Sequence, residues 1–140
     1  MKTLTVFTPA FNREHMLKRV YQSLLAQKTK DFIWMVVDDG SEDFAESISM
    51  GETAAACGVT DIIVTPHCNI PGSYGNYYGS GYERAFNGLC ELFADKQIPL
   101  KLHRGMEVFG TDDLGMLYDS GDVITLAGSR YMLVEFDFED

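Results

Sequence analysis

Positive charge is scarce in this chain: 11 lysines and arginines stand against 21 aspartates and glutamates, for a net charge of −10 at pH 7. Sequence-independent binding to nucleic acid or to an anionic membrane surface needs a cationic footprint, so neither partner is expected. Long apolar runs are lacking too. No stretch approaches the roughly 18–20 residues of a membrane-spanning helix, so no membrane insertion is expected. The segment Leu4–Pro9 is too short for the apolar region of a signal peptide and contains Thr5 and Thr8, which points to a cytoplasmic protein. Cysteine is limited to Cys57, Cys68 and Cys90, an odd number without CxxC spacing. That excludes a disulfide framework and a structural zinc site as expectations. Six positions after these cysteines stand Ile63, Tyr74 and Lys96 rather than arginine, so a thiol-nucleophile tyrosine phosphatase is excluded as well.

What the chain does have is core-forming material. Its 140 residues are 46% hydrophobic and 12% aromatic, enough for one globular domain and too apolar for intrinsic disorder. Strand and helix patterns alternate. Leu4–Thr8 reads as a short strand closed by Pro9; Asn12 is a candidate N-cap for a helix whose Met16, Leu17, Val20, Tyr21, Leu24 and Leu25 share a face. Phe32–Val37 is a continuous apolar run, as in a strand buried on both faces. A second helix is expected from Ser41 or Asp43 to Gly58, burying Phe44, Ile48 and Ala55, then a strand over Asp61–Thr65. A third helix is expected over Gly81–Lys96, with Tyr82, Ala85, Phe86, Leu89, Leu92 and Phe93 inward, before Pro99 stops it. A fourth strand falls within Leu100–Val108 and a fifth over Tyr131–Phe136, with Thr111 capping a short helix to Tyr118 between them.

Strand–helix–strand alternation predicts an α/β fold: a single three-layer domain over residues 1–140, with a mainly parallel sheet of about five strands. Gly72–Gly81, rich in glycine and tyrosine, is expected as a mobile loop, with a substrate lid as the alternative. The acidic end (Glu135, Asp137, Glu139 and Asp140) is expected to be a solvated tail, and His15 and His103 to be solvent-exposed.

Two sets of motifs meet at Asp38-Asp39-Gly40-Ser41. The first, over residues 1–41, comprises Thr8-Pro9-Ala10-Phe11-Asn12-Arg13, the helix through Ser23, Leu24 and Gln27, and Phe32–Ser41. It resembles the first nucleotide-binding βαβ unit of family 2 glycosyltransferases. The resemblance implies that Pro9, Phe11 and Asp39 surround a nucleotide-sugar, beyond the carboxyl ends of parallel strands. The Asp-x-Asp that the family uses for metal and pyrophosphate has no counterpart in context, since Asp112-Asp113 fits the start of a short helix. The second set, over residues 38–140, comprises Asp38-Asp39-Gly40, Gly58-Val59-Thr60-Asp61-Ile62-Ile63-Val64-Thr65-Pro66-His67, Ile98-Pro99-Leu100, Gly105-Met106-Glu107-Val108 and Leu126-Ala127-Gly128-Ser129-Arg130-Tyr131. It resembles the PHP (polymerase and histidinol phosphatase) enzymes that act on phosphotyrosine in bacterial capsule systems, so the sheet resembles part of a PHP barrel with a βαβ unit added.

In that family divalent metals at the carboxyl ends of barrel strands activate water and neutralise phosphoryl oxygens. Carried over residue by residue, the resemblance makes Asp39, His67 and Glu107 metal ligands and identifies no catalytic residue. Mn²⁺ or another divalent ion, weakly bound, is implied; no metal at all is the equal alternative, because the family's His-x-His strand is replaced here by Phe32–Val37. The function implied is that of a metal-dependent phosphotyrosine phosphatase fragment with little or no activity. Its alternatives are a nucleotide-sugar-binding protein and a folded, non-enzymatic hybrid, natural or engineered. A phosphotyrosine protein is the substrate only if the chain is active. Five strands do not close a barrel, so self-association through an open sheet edge is a further expectation.

Overall fold

The computed structural model describes residues 4–9, 14–28, 32–38, 44–73 and 75–136. The elements are β1 (Leu4–Pro9), α1 (Glu14–Ala26), β2 (Phe32–Asp38), α2 (Phe44–Ala56), β3 (Asp61–Val64), β4 (His67–Cys68), α3 (Ser80–Asp95), β5 (Lys101–Arg104), β6 (Glu107–Phe109), α4 (Leu114–Ser120) and β7 (Leu133–Glu135), with a 3-10 turn at Leu126–Gly128 before β7. The fold is α/β, as the sequence predicts. All its described strand pairs are parallel, in two sheets ordered β1-β2-β3-β5 and β4-β6-β7.

The two sheets share one register. Val64 lies opposite Arg104, and His67 opposite Glu107, the same offset of 40 residues on either side of a break. Side-chain alternation is also continuous: Ile62, Val64 and Leu102 before the break, and Cys68, Met106 and Val108 after it, all pack into the helix-side core. The single strands expected over Asp61–Thr65 and Leu100–Val108 are thus each divided into two pieces.

Proline chemistry accounts for the division. In this register the Lys101 N–H donates to the Thr60 carbonyl and the Glu107 N–H to the Pro66 carbonyl. By the same repeat the Gly105 carbonyl would accept from residue 66, but Pro66 has no N–H. The buried Tyr82 hydroxyl of α3 replaces that bond: it donates to the Gly105 carbonyl at 2.9 Å and accepts from the Gly105 N–H at 3.1 Å. Glycine is required there, since a Cβ at 105 would stand 2.6 Å from Ile63 Cγ2 and 3.0 Å from both Leu126 Cδ2 and Thr65 Cγ2.

Helices α2 and α3 cover one face of β3 and β5. Met50 and Ala54 of α2 cluster with Val59 and Ile62, while Leu89 and Phe93 of α3 cluster with Ile98; Leu100 and Leu102 pack against both groups. The α3 residues Tyr82, Phe86, Leu89 and Phe93 are buried as expected, but Ala85 is exposed. The buried face of α2 is wider than the expected one: Ile48 and Ala55 are half-buried and pack against the Leu89, Phe93 and Ile98 cluster, while Ser47, Met50, Gly51 and Ala54 are buried. The cause is close approach, because a Cβ on Gly51 would lie 2.5 Å from the Phe93 ring. Phe44 itself lies outside the described side chains. Gly58 takes φ +82, the left-handed turn expected after α2.

Several boundaries differ from expectation. The last strand is confined to Leu133–Glu135. Helix α4 runs past Tyr118 to Ser120 and takes Asp113, not Thr111, as its N-cap residue; the Thr111 hydroxyl bonds the Asp113 carboxylate instead. The Asn12 cap, the Asp38–Ser41 turn as a whole, Tyr74 and the acidic residues Asp137, Glu139 and Asp140 lie outside the described residues.

Candidate metal centre

Residues 67, 107 and 133 are register partners across β4, β6 and β7. Side chains two apart on a strand share a face, so Glu135 joins His67 and Glu107 on the face opposite Cys68 and Val108. The result is convergence: one ligand atom from each of His67, Glu107 and Glu135 falls within 4.8 Å of the others, with all three side chains half-buried. His67 Nδ1 is 3.1 Å from Glu135 Oε1 and 3.9 Å from Glu107 Oε2. A carboxylate only accepts, so the Nδ1–H donates in the shorter contact.

The triad stands at the carboxyl ends of the composite strands β3–β4 and β5–β6, where open parallel sheets and barrels place their ligands. One imidazole and two carboxylates, clustered and partly screened from water, suit a hard or borderline divalent cation. The donor set therefore fits the metal that the resemblance implies.

The structure brings together His67 and Glu107 of the sequence-derived ligands. Asp39 and Phe11 lie outside the described residues; Pro9 is the last residue of β1, and its side chain is not described. Glu135 was missed: far from a solvated tail, it is the last residue of β7 and bonds to His67. The signal was the alternation Leu133-x-Glu135 on a strand, masked by the acidic residues after it. His103 is not simply solvent-exposed either. It is half-buried, with Nε2 2.7 Å from Asp61 Oδ1, and this bond, with a second from the Thr60 hydroxyl, holds the Asp61 carboxyl below its usual range. The side chain of His15 is not described.

Described residues of the loop after β4, in and before the segment Gly72–Gly81, bond to the strands that carry the triad. The Asn76 amide donates to the His67 carbonyl at 2.8 Å, and Tyr77 donates to Asn69 Oδ1 at 3.0 Å. The Asn69 amide in turn reaches the Phe109 carbonyl at 3.2 Å and the Thr111 hydroxyl at 2.8 Å.

Other groups lack the chemistry of a reactive site. Burial pushes the Cys68 thiol up to about 11, with the Asp122 charge adding to the effect, so it is not a thiolate at neutral pH. A cleft of about 280 Å³ is lined by Tyr78, Arg104, Tyr118, Val123, Ile124, Thr125 and Gly128. It contains no triad residue, and its Arg104 is already held by a two-point contact with Glu83 at 2.9 and 2.8 Å and lies 4.4 Å over the Phe86 ring. Among the described residues no helix is long and apolar enough to cross a membrane.

Fold and triad together define a parallel α/β protein with one imidazole and two carboxylates gathered at the strand ends. Residues 29–140 match the family described as capsular polysaccharide synthesis, CpsB/CapC, and the chain belongs to that family. A second, shorter match covers residues 5–50 and is to glycosyl transferase family 2, which agrees with a hybrid sequence. The tyrosine-protein phosphatase YwqE of Bacillus subtilis (strain 168) is 32% identical over 103 residues, covering 74% of this chain and 40% of that protein. The putative tyrosine-protein phosphatase CapC of Staphylococcus aureus is 31% identical over 103 residues, covering 71% of this chain and 38% of that protein. A chain from the crystal structures of YwqE and of CpsB from Streptococcus pneumoniae, described as unique metal-dependent tyrosine phosphatases, superposes with a TM-score of 0.65. It is 32% identical, over 72% of this chain and 40% of its own length. The chain thus spans about two fifths of the length of these relatives.

Proposed function

We propose that His67, Glu107 and Glu135 hold a divalent cation and that the chain carries part of the metal-binding face of a phosphotyrosine phosphatase. The observation that carries this reading is the convergence of three ligand atoms from three adjacent strands within 4.8 Å. Asp39 is a fourth ligand in the proposal: it directly follows β2, whose last residue Asp38 is in register with Val64, three positions before His67. Mn²⁺, a hard ion suited to carboxylate ligands, is the ion proposed, held weakly as its place in the divalent affinity order implies. When bound, the ion would supply positive charge against phosphoryl oxygens.

The residues' own work is to orient and to hold protons. Glu135 fixes the His67 ring through Nδ1, and Glu107 adds negative charge on the same face. With so few protein ligands, affinity is low and hydrolysis of a phosphotyrosine protein slow or absent. A cytoplasmic location is part of the same proposal, in keeping with three cysteines that form no disulfide. Metal content after dialysis tests the reading. Bound Mn²⁺ should fall when His67→Ala or Glu135→Ala is introduced and stay unchanged in His103→Ala. Equal metal content in all four proteins would refute the site.

A second reading rests on the match of residues 5–50 to glycosyl transferase family 2. It places a nucleotide-sugar at Pro9, Phe11 and Asp39. Titration with a uridine diphosphate sugar in the absence of metal separates it from the first.

A further inference from the structure

The carboxyl ends of the strands that bear the triad are tied by one set of hydrogen bonds that the metal reading does not use. The Asn76 amide donates to the backbone carbonyl of His67. Asn69, the second residue after His67, donates to the Phe109 carbonyl at the end of β6 and to Thr111. The Gly110 N–H donates to the Glu135 carbonyl at 2.9 Å, joining the end of β6 to the end of β7. The loop between Asn69 and Asn76 is closed by the Asn69 N–H to Gly75 carbonyl bond at 2.7 Å and by the Tyr77 hydroxyl on Asn69 Oδ1. Both asparagines adopt positive φ, 63° and 47°. That region is costly for most residues but tolerated by asparagine, so the loop keeps a backbone whose main return is where it places two side-chain amides.

His67 lies on a strand of only two residues, immediately after Pro66 and the break in the ladder. Among the described residues, that strand pairs with β6 alone. The Asn76 amide holds the carbonyl of the His67–Cys68 peptide. We infer that Asn76 is a positioning residue for His67: by fixing the His67 carbonyl it sets the ring's approach to Glu135 and Glu107, and thereby the affinity of the triad for a cation. Asn69 and Tyr77 act behind it, holding the loop against β6. The inference rests on the proposed metal site for its second half, and on the geometry alone for its first.

The variant Asn76→Gly separates the amide from the backbone, because glycine takes positive φ without strain. Two measurements on it are needed. In the metal-free protein the ring Cε1–H resonance of His67, followed by NMR at fixed pH, should move or broaden. The His103 resonance, whose ring is paired with Asp61 at the opposite end of the strands, should not. In a calorimetric titration with MnCl₂, Asn76→Gly should bind roughly 10-fold more weakly than the unaltered chain, the lower end of what losing an outer partner costs a metal site. Ser73→Ala, in the same loop but outside these bonds, should leave both readouts unchanged. An unmoved His67 resonance, or Mn²⁺ binding that is measurable and equally tight in Asn76→Gly and the unaltered chain, overturns the positioning role. If the unaltered chain binds no Mn²⁺ while the His67 resonance still responds selectively, the positioning role stands and the metal reading falls.

Discussion

Tyr82 is the residue on which the break in the sheet turns. Its hydroxyl satisfies both backbone groups of Gly105, and burial pushes its own ionisation up to about 12. Tyr82→Phe keeps the ring against Phe86 and Tyr78 but leaves a buried N–H and a buried carbonyl without that partner. A buried polar group without a partner costs about 1–3 kcal/mol. The expected outcome is a loss of that size in urea unfolding, with the midpoint lowered and the slope unchanged; an unaltered midpoint would show that the strands close up without Tyr82. The residue scale is also where the sequence was least legible. His67 and Glu107 were visible through the phosphatase resemblance, because each stands in one of the motifs that carry it. Glu135 was hidden because charge density alone cannot distinguish a strand-end carboxylate from a tail, and only the pairing of β7 with β6 settles which it is. The His103–Asp61 pair joins residues 42 apart in sequence, through a register that no local pattern specifies.

Elements were more legible than their faces. The helical spacing of Tyr82, Phe86, Leu89 and Phe93 gave both α3 and its buried side, because large apolar residues carry an unambiguous period. Helix α2 was placed correctly, but only part of its buried side was legible: Ile48 and Ala55 pack against the Leu89, Phe93 and Ile98 cluster as expected, while the burial of the small residues Ser47, Gly51 and Ala54 is announced by no apolar period. Pro66 was the available signal for the divided strands, since a proline within a central ladder removes a donor. Gly51 makes the packing of α2 on α3 testable. Gly51→Ala favours helix formation by up to about 1 kcal/mol in isolation. Here the added Cβ would stand 2.5 Å from the buried Phe93 ring, and overpacking of this kind typically costs about 1–3 kcal/mol. A net fall in thermal midpoint is expected. A rise would mean that the Phe93 ring moves aside freely and that the α2–α3 contact is loose.

At the scale of the whole molecule, the parallel sense of the sheet was legible from the alternation of elements, but not the order of its strands, which the pairing fixes as β1, β2, β3–β4, β5–β6 and β7. The order also explains how the two halves of a hybrid fit together: β2 lies within both the glycosyltransferase-like and the phosphatase-like match, and it pairs in parallel with β1 on one side and with β3 on the other. What the order leaves open is the edges. Among the described residues β1 pairs only with β2, and β7 only with β6. β7 is the edge with apolar flanks: Tyr131 and Phe136, on either side of it, are 61% and 63% exposed. Its Glu135 carbonyl faces β6 by accepting from Gly110, so by alternation the Val134 N–H points outward, away from the ladder. An outward row of unpaired backbone groups between exposed aromatic rings is a template for a strand from another chain. We therefore expect a second copy to be the partner, joined at β7, with the sedimentation coefficient rising with concentration in the micromolar range. Val134→Pro removes the outward N–H while sparing the bonds to β6, and it should yield a folded monomer. A chain that sediments as a strict monomer at high micromolar concentration, or a Val134→Pro protein that associates as before, would rule out the β7 edge as the joint.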